Sequence, residues 1–121
     1  MNLRDELNAE EGSFLLELRS GLHWNHEAFI NLLKEAHEEY VRTKNDTTLE
    51  REIAHGLWYI SHFVKDWSTH ENFPKVYSDT YYSKAYDIIH DIAYEYFMGE
   101  SIYQSEETII KQIEELNTLI N

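Results

Sequence analysis

Two steps in the sequence set a carboxylate and an imidazole three residues apart: Glu52-x-x-His55 and Asp87-x-x-His90. On a helix that spacing puts both side chains on one face. A helical bundle that gathers two such steps, plus a carboxylate from each of two further helices, holds a pair of metal ions. His23, His26 and Glu27 would be further donors. A metal-binding bundle or metalloenzyme using Glu52, His55, Asp87 and His90 is therefore one reading. The helical wheel opposes it. Glu52, His55, Tyr59 and His62 share a face, whereas the apolar stripe of the same segment is Ile53, Leu57, Ile60 and Val64. Asp87 and His90 stand in a similar relation to Ile88, Ile89 and Ile92. Ligands of a bundle metal centre belong inside the apolar seam, and these lie to one side of it. The His-Glu-x-x-His form of the zinc proteases is absent. The expectation is no cofactor, with these four side chains solvated or hydrogen-bonded.

Other catalytic arrangements have less behind them. The chain has no cysteine, which excludes a thiol nucleophile, a thiolate metal site and a disulfide framework. There is no Gly-x-Ser-x-Gly elbow, no glycine-rich phosphate loop and no dinucleotide fingerprint. The expectation is a protein that is not an enzyme.

Residues 77 to 103 hold seven of the nine tyrosines: Tyr77, Tyr81, Tyr82, Tyr86, Tyr94, Tyr96 and Tyr103. Acids gather in the same region and beyond it. The last 37 residues carry eight acids against Lys111, a net charge of −7. Asp87, Asp91 and Glu95 are spaced i, i+4, i+8, a ladder of like charges on one helix face, which costs a helix a few tenths of a kcal/mol per pair. Such a ladder flanked by exposed tyrosines is the form a surface for a cationic partner takes. Tyrosine supplies rigid contact area, and carboxylates speed encounter with a basic protein. Trp58, Tyr59 and Trp67 form a second aromatic cluster. Trp58 and Tyr59 are candidates for the same surface, and Trp67 falls on the apolar stripe as core. The expected partner-binding set is Asp79, Tyr81, Tyr82, Asp87, Asp91, Tyr94, Glu95, Trp58 and Tyr59.

The elements that must position these residues are helical. Four glycines and one proline are too few turn residues for an all-β domain. A first helix is expected from Leu3 to about Arg19, interrupted near Gly12-Ser13, with Gly21 as its stop. A second runs from about Asn25 to Thr43, with Phe29, Leu33, Ala36 and Tyr40 on its apolar face. Thr47 and Glu50 have the spacing of a capping box that would open a third helix running to about Trp67. The segment from Ser68 to Ser78 contains Pro74 and reads as a loop. Ser78 or Asp79 caps a fourth helix, which ends at Met98 with Gly99 as its stop. A fifth starts near Ser105 and carries the seam Ile109, Ile113, Leu116 and Ile120. Stripes one face wide are buried by an all-α, single-domain bundle of four to five helices spanning residues 1–121.

The charge and composition narrow the partners. The 121 residues include 23 acids and 10 basic residues, a net charge of −13 with neutral histidines. Phosphates would repel such a surface, so nucleic acid is not an expected partner, whereas a basic protein is. No apolar run approaches the ~18 residues of a membrane helix, and the start Met1-Asn-Leu-Arg-Asp-Glu lacks the apolar core of a secretory signal. The expected location is cytoplasmic. The fifth helix seam also leaves room for a homo-oligomer in which it packs on its twin.

Two short stretches resemble a known family. Glu27-Ala28-Phe29-Ile30-Asn31-Leu32-Leu33-Lys34-Glu35 is similar to the early helix of the bacterial immunity proteins that neutralise nuclease colicins. Ser78-Asp79-Thr80-Tyr81-Tyr82 resembles the Ser-Asp…Tyr-Tyr segment with which those proteins touch their toxin. The resemblance implies a small helical inhibitor with Asp79, Tyr81 and Tyr82 facing a toxin domain. An acidic protein of this kind blocks a nuclease cleft that is basic because it binds phosphates. A protein mimic of DNA aimed at a defence protein would use the same physics.

Overall fold

The structure is a computed structural model that describes residues 1–120, apart from the side chains of residues 106 and 107. Glu106 and Glu107 of the acidic C-terminal run therefore lie outside the described side chains. The chain forms six helices: α1 (Leu3–Leu7), α2 (Phe14–Gly21), α3 (His26–Thr43), α4 (Arg51–Ser68), α5 (Asp79–Met98) and α6 (Glu106–Asn117). Among the described residues there is no strand, and no helix is long and apolar enough to cross a membrane.

Local chemistry sets most of the helix ends. Asn2, Ser13, Asn25 and Ser78 each accept a hydrogen bond from the backbone N–H three residues on, at 2.9 to 3.2 Å, as N-caps do. Gly99 ends α5 in the left-handed conformation at φ 71, where a glycine carries no Cβ penalty.

Three expected boundaries differ. The first helix is two helices, because Ala9 (φ 55) and Gly12 (φ 89) turn the chain through left-handed backbone. Inside that turn the buried Glu6 carboxylate accepts the Phe14 N–H at 3.0 Å and the Asn31 amide at 2.7 Å. Burial pushes the Glu6 pKa up, and those two hydrogen bonds oppose the rise. Gly21 is the last residue of α2, and the left-handed cap is Leu22 at φ 49. The Thr47–Glu50 box does not form: α4 starts at Arg51, and Glu50 makes no side-chain cap bond. The Glu50 carboxylate instead meets Arg4, which also binds Glu52 at 3.1 Å and so ties α1 to α4.

Helix α5 is the central element, packed on α3, α4 and α6, while α1 and α2 close the space between α3 and α4. The core at one end is aromatic. Trp24, Phe14, Phe29, Tyr81 and Tyr82 meet there with ring centroids 4.8 to 5.9 Å apart, the edge and tilted geometries that ring quadrupoles favour. Gly56 in mid-α4 has a packing reason. A Cβ there would lie 2.8 to 2.9 Å from the Leu7 side chain, so the glycine lets α1 sit against α4. The apolar seam of α6 holds at Ile109, Ile113 and Leu116, but Ile120 is exposed.

Candidate functional site

Three of the nine expected partner-binding residues, Tyr81, Tyr82 and Glu95, lie in the core. Tyr81 is 0% exposed and Tyr82 3%. The Tyr81 hydroxyl accepts the Trp24 indole N–H at 2.7 Å and lies 2.7 Å from His26 Nδ1; His26 Nε2 lies 2.6 Å from Asn117 Oδ1. An amide oxygen only accepts, so His26 Nε2 donates to Asn117, and Nδ1 pairs with the Tyr81 hydroxyl. This chain of donors joins the α2–α3 connection, α3, α5 and the last residue of α6. Burial pushes the Tyr81 phenol well above its ordinary pKa. Tyr82 accepts the Val76 N–H at 3.1 Å and lies beneath the α4–α5 loop.

The acidic ladder is also dismantled by packing. Glu95 is 0% exposed and accepts a hydrogen bond from His37 Nδ1 at 2.6 Å, linking α5 to α3. Asp91 is half-buried and accepts the Tyr103 hydroxyl at 2.8 Å. Burial, then that neighbouring carboxylate, pushes the Tyr103 phenol up to about 12. Lys84 reaches Gln112 and Glu115 on α6. Of the three ladder acids only Asp87 is exposed, and Asp79 is exposed at the start of α5. Tyr86 bonds Ser68 at 2.6 Å, and Tyr96 is core.

The metal alternative finds no assembled donor set. Glu52 is engaged by Arg4, and His55, Asp87 and His90 are exposed. Among the described residues no group of three or more His, Asp or Glu side chains is gathered to hold a metal ion.

A different surface is built from side chains the sequence reading only half identified. Helices α4 and α5 run antiparallel: Ser68 at the end of α4 meets Tyr86 near the start of α5, and Trp58 shares a hollow with Phe97 and Met98 at the end of α5. On the outer side of this pair Trp58 is 57% exposed and stacks on His62, with centroids 4.2 Å apart. His62 Nδ1 donates to the Trp58 carbonyl at 2.8 Å, which fixes the ring over the indole. Tyr59 stacks on Phe63 at 5.0 Å, and Phe63 meets Trp67 at 5.3 Å. Trp67 is 38% exposed, not core, and its indole N–H donates to the Leu18 carbonyl of α2 at 2.9 Å.

Three hollows follow this aromatic line. One of about 250 Å³ lies between Trp58, His62, His90, Tyr94, Phe97 and Met98, over Ser61 and Ala93. The next, about 370 Å³, shares Trp58 and His62 and extends over Tyr59, Phe63, Asp66 and Trp67. The third, about 210 Å³, shares Trp67 and is closed by Leu22, His70, Asn72 and Phe73. Trp58, Tyr59 and Tyr94 of the expected set are brought together here. His62, Phe63, Phe97 and Met98 were missed. The signal for His62 and Phe63 was a second aromatic stripe on α4, at Tyr59–Phe63 and Trp58–His62, beside the aliphatic one.

Compared with known proteins, the chain matches no family model, no curated protein and no solved structure.

Proposed function

We propose that this is a non-catalytic binding protein that seats the α4–α5 aromatic face on a basic protein and blocks it. A toxin domain neutralised in the manner of an immunity protein is the most specific form of the proposal. The observation that carries it is the Trp58–His62 stack at the centre of a continuous aromatic surface on a chain of net charge −13. Exposed Trp and half-buried Tyr in contiguous hollows are what binding hot spots are made of, since each can bury further apolar area in a partner. The negative field of the chain speeds encounter with a cationic protein and rejects anionic ones. In this reading the contact role of Tyr81 and Tyr82 passes to Trp58, Tyr59 and Tyr94, and Asp79 and Asp87 contribute as exposed charges.

A photo-crosslinking amino acid in place of Trp58, with a control in place of Glu38 on the α3–α6 side, tests the proposal in cells of the source organism. A basic protein captured at position 58 and not at 38 is expected. Its purified form should then bind about tenfold or more weakly to Trp58→Ala and Tyr94→Ala, and more slowly at high salt. An unchanged affinity in both variants overturns the assignment.

A further inference from the structure

We propose that the occupant of the three hollows is an amphipathic, lysine- or arginine-rich helix of the partner, with large apolar side chains one turn apart. The inference rests on the binding role above and adds the form of the ligand.

The first argument is about backbone. The first two hollows are floored by α4 and α5 alone, whose N–H and C=O groups are largely spent within the helices. No strand edge exists among the described residues. An extended segment laid on this face would lose water from its own amides and gain no main-chain partner, at a cost of ~1–3 kcal/mol for each group left unpaired. A helix arrives with those bonds already made, which is why helices are the usual guests of apolar grooves.

The second argument is about spacing. Trp58 and Trp67 bound the middle hollow and lie nine residues apart on α4, ~13 Å at 1.5 Å per residue. Side chains at i, i+4 and i+8 of a second helix span ~12 Å, close to the separation of the two tryptophans. At the α4–α5 cleft Ser61 and Ala93 are small, and Trp58, Tyr94, Phe97 and Met98 stand around them. A third helix can therefore approach to the ~8–10 Å of ordinary helix packing.

The third argument is charge. Asp66 borders the middle hollow, and Asp87 is exposed one turn before His90. Lys65 is drawn aside over the Tyr86 ring, 6.0 Å from its centroid. With the chain at −13, a cationic helix is attracted and a second copy of this chain is repelled.

The test uses a random peptide library displayed on phage, selected on the intact protein. Enriched peptides are expected to carry apolar residues at i, i+4 and i+7 or i+8 among lysines and arginines. They should gain helical circular dichroism on binding. Their affinity should fall about tenfold or more for Ala93→Trp, which fills the cleft, and for Trp58→Ala or Met98→Glu. Trp58 and Met98 are exposed, so those two variants keep the fold even if Ala93→Trp does not. Enrichment of extended, proline-rich or acidic peptides overturns the inference, as does no enrichment, or binding that ignores all three variants. If the crosslinked partner still depends on Trp58 while helical peptides do not bind, the helix is wrong and the binding face stands. If Trp58→Ala leaves the partner's affinity unchanged, the binding face itself is wrong.

Discussion

Changing Tyr81 to phenylalanine removes one oxygen atom at the point where four parts of the fold meet. The Trp24 N–H, in a residue 2% exposed, loses its acceptor, and His26 Nδ1 loses its hydrogen-bond partner. Each buried group left unpaired costs ~1–3 kcal/mol. Phenylalanine offsets part of this because it is the more apolar ring, so a net loss of about 2–4 kcal/mol is expected. The unfolding entropy of a domain is ~2.1 cal/mol/K per residue, or roughly 250 cal/mol/K for a chain of this length. The melting temperature should then fall by about 8–16 °C. Calorimetry and urea unfolding followed by circular dichroism provide the measurement, with Tyr94→Phe on the outer face as reference, expected within ~0.5 kcal/mol of wild type. Partner affinity should be unchanged while the variant remains folded. A Tyr81→Phe protein as stable as the Tyr94→Phe reference would refute the hydrogen-bond chain as a source of stability. A folded variant with lost affinity would return Tyr81 to the contact surface.

Three further outcomes follow from the same geometry. Gly56→Ala should destabilise by ~1–3 kcal/mol through overpacking against Leu7, against the ~1 kcal/mol that alanine normally gains in a helix; thermal melts check this, and Leu7→Ala in the same chain should restore part of the loss. Glu95→Ala should cost ~1–3 kcal/mol by leaving the buried His37 Nδ1 without this hydrogen-bond partner, yet stopped-flow association with the partner should keep its rate and salt dependence. Above pH 10 stability should decline: the phenols of Tyr81, Tyr82, Tyr86, Tyr96 and Tyr103 are raised from 10.0 by burial, so the folded chain retains protons the unfolded chain releases. That stability is complete below the unfolded value and is lost as pH rises through the folded ones. Urea midpoints measured across pH 9 to 12 should fall, and less steeply in Tyr103→Phe.

Helices α3 to α6 were legible because their signals are local. Apolar residues recur at the helical period, Asn25 and Ser78 stand where caps belong, and Gly99 takes the left-handed stop. The break after α1 was half visible at Gly12, but Ala9 in left-handed backbone has no sequence mark. Glu50 leaves its expected box because Arg4, far away in sequence, competes for its carboxylate. By residue type Glu95 reads as surface, although it shares a helix face with Ile88 and Ile92. Its partner His37 lies 58 positions away, and that long-range pairing decided its burial. Tyr81 was misplaced for the same reason, since Trp24 and His26 supply its polar partners from another part of the chain. Trp67 followed the apolar stripe, but it sits at the helix end, where the α2 carbonyl it bonds leaves one side of its ring open. Trp58 and Tyr59 were legible as aromatic side chains beside the stripe, while the hollow between Trp58 and Tyr94 exists only once α5 lies alongside.

The three tryptophans occupy unlike surroundings, which gives the protein distinct optical signals. Trp24 is sealed among Phe14, Phe29, Tyr81 and Tyr82, so its emission should be blue, fed by energy transfer from the neighbouring phenols, and lost only when the core opens. Trp58 faces water under the His62 ring, so its emission should lie to the red of Trp24. A ligand arriving on the outer face should shift the red emission of Trp58 while leaving the blue emission of Trp24 in place. Folding and occupancy can therefore be followed separately in one unlabelled sample.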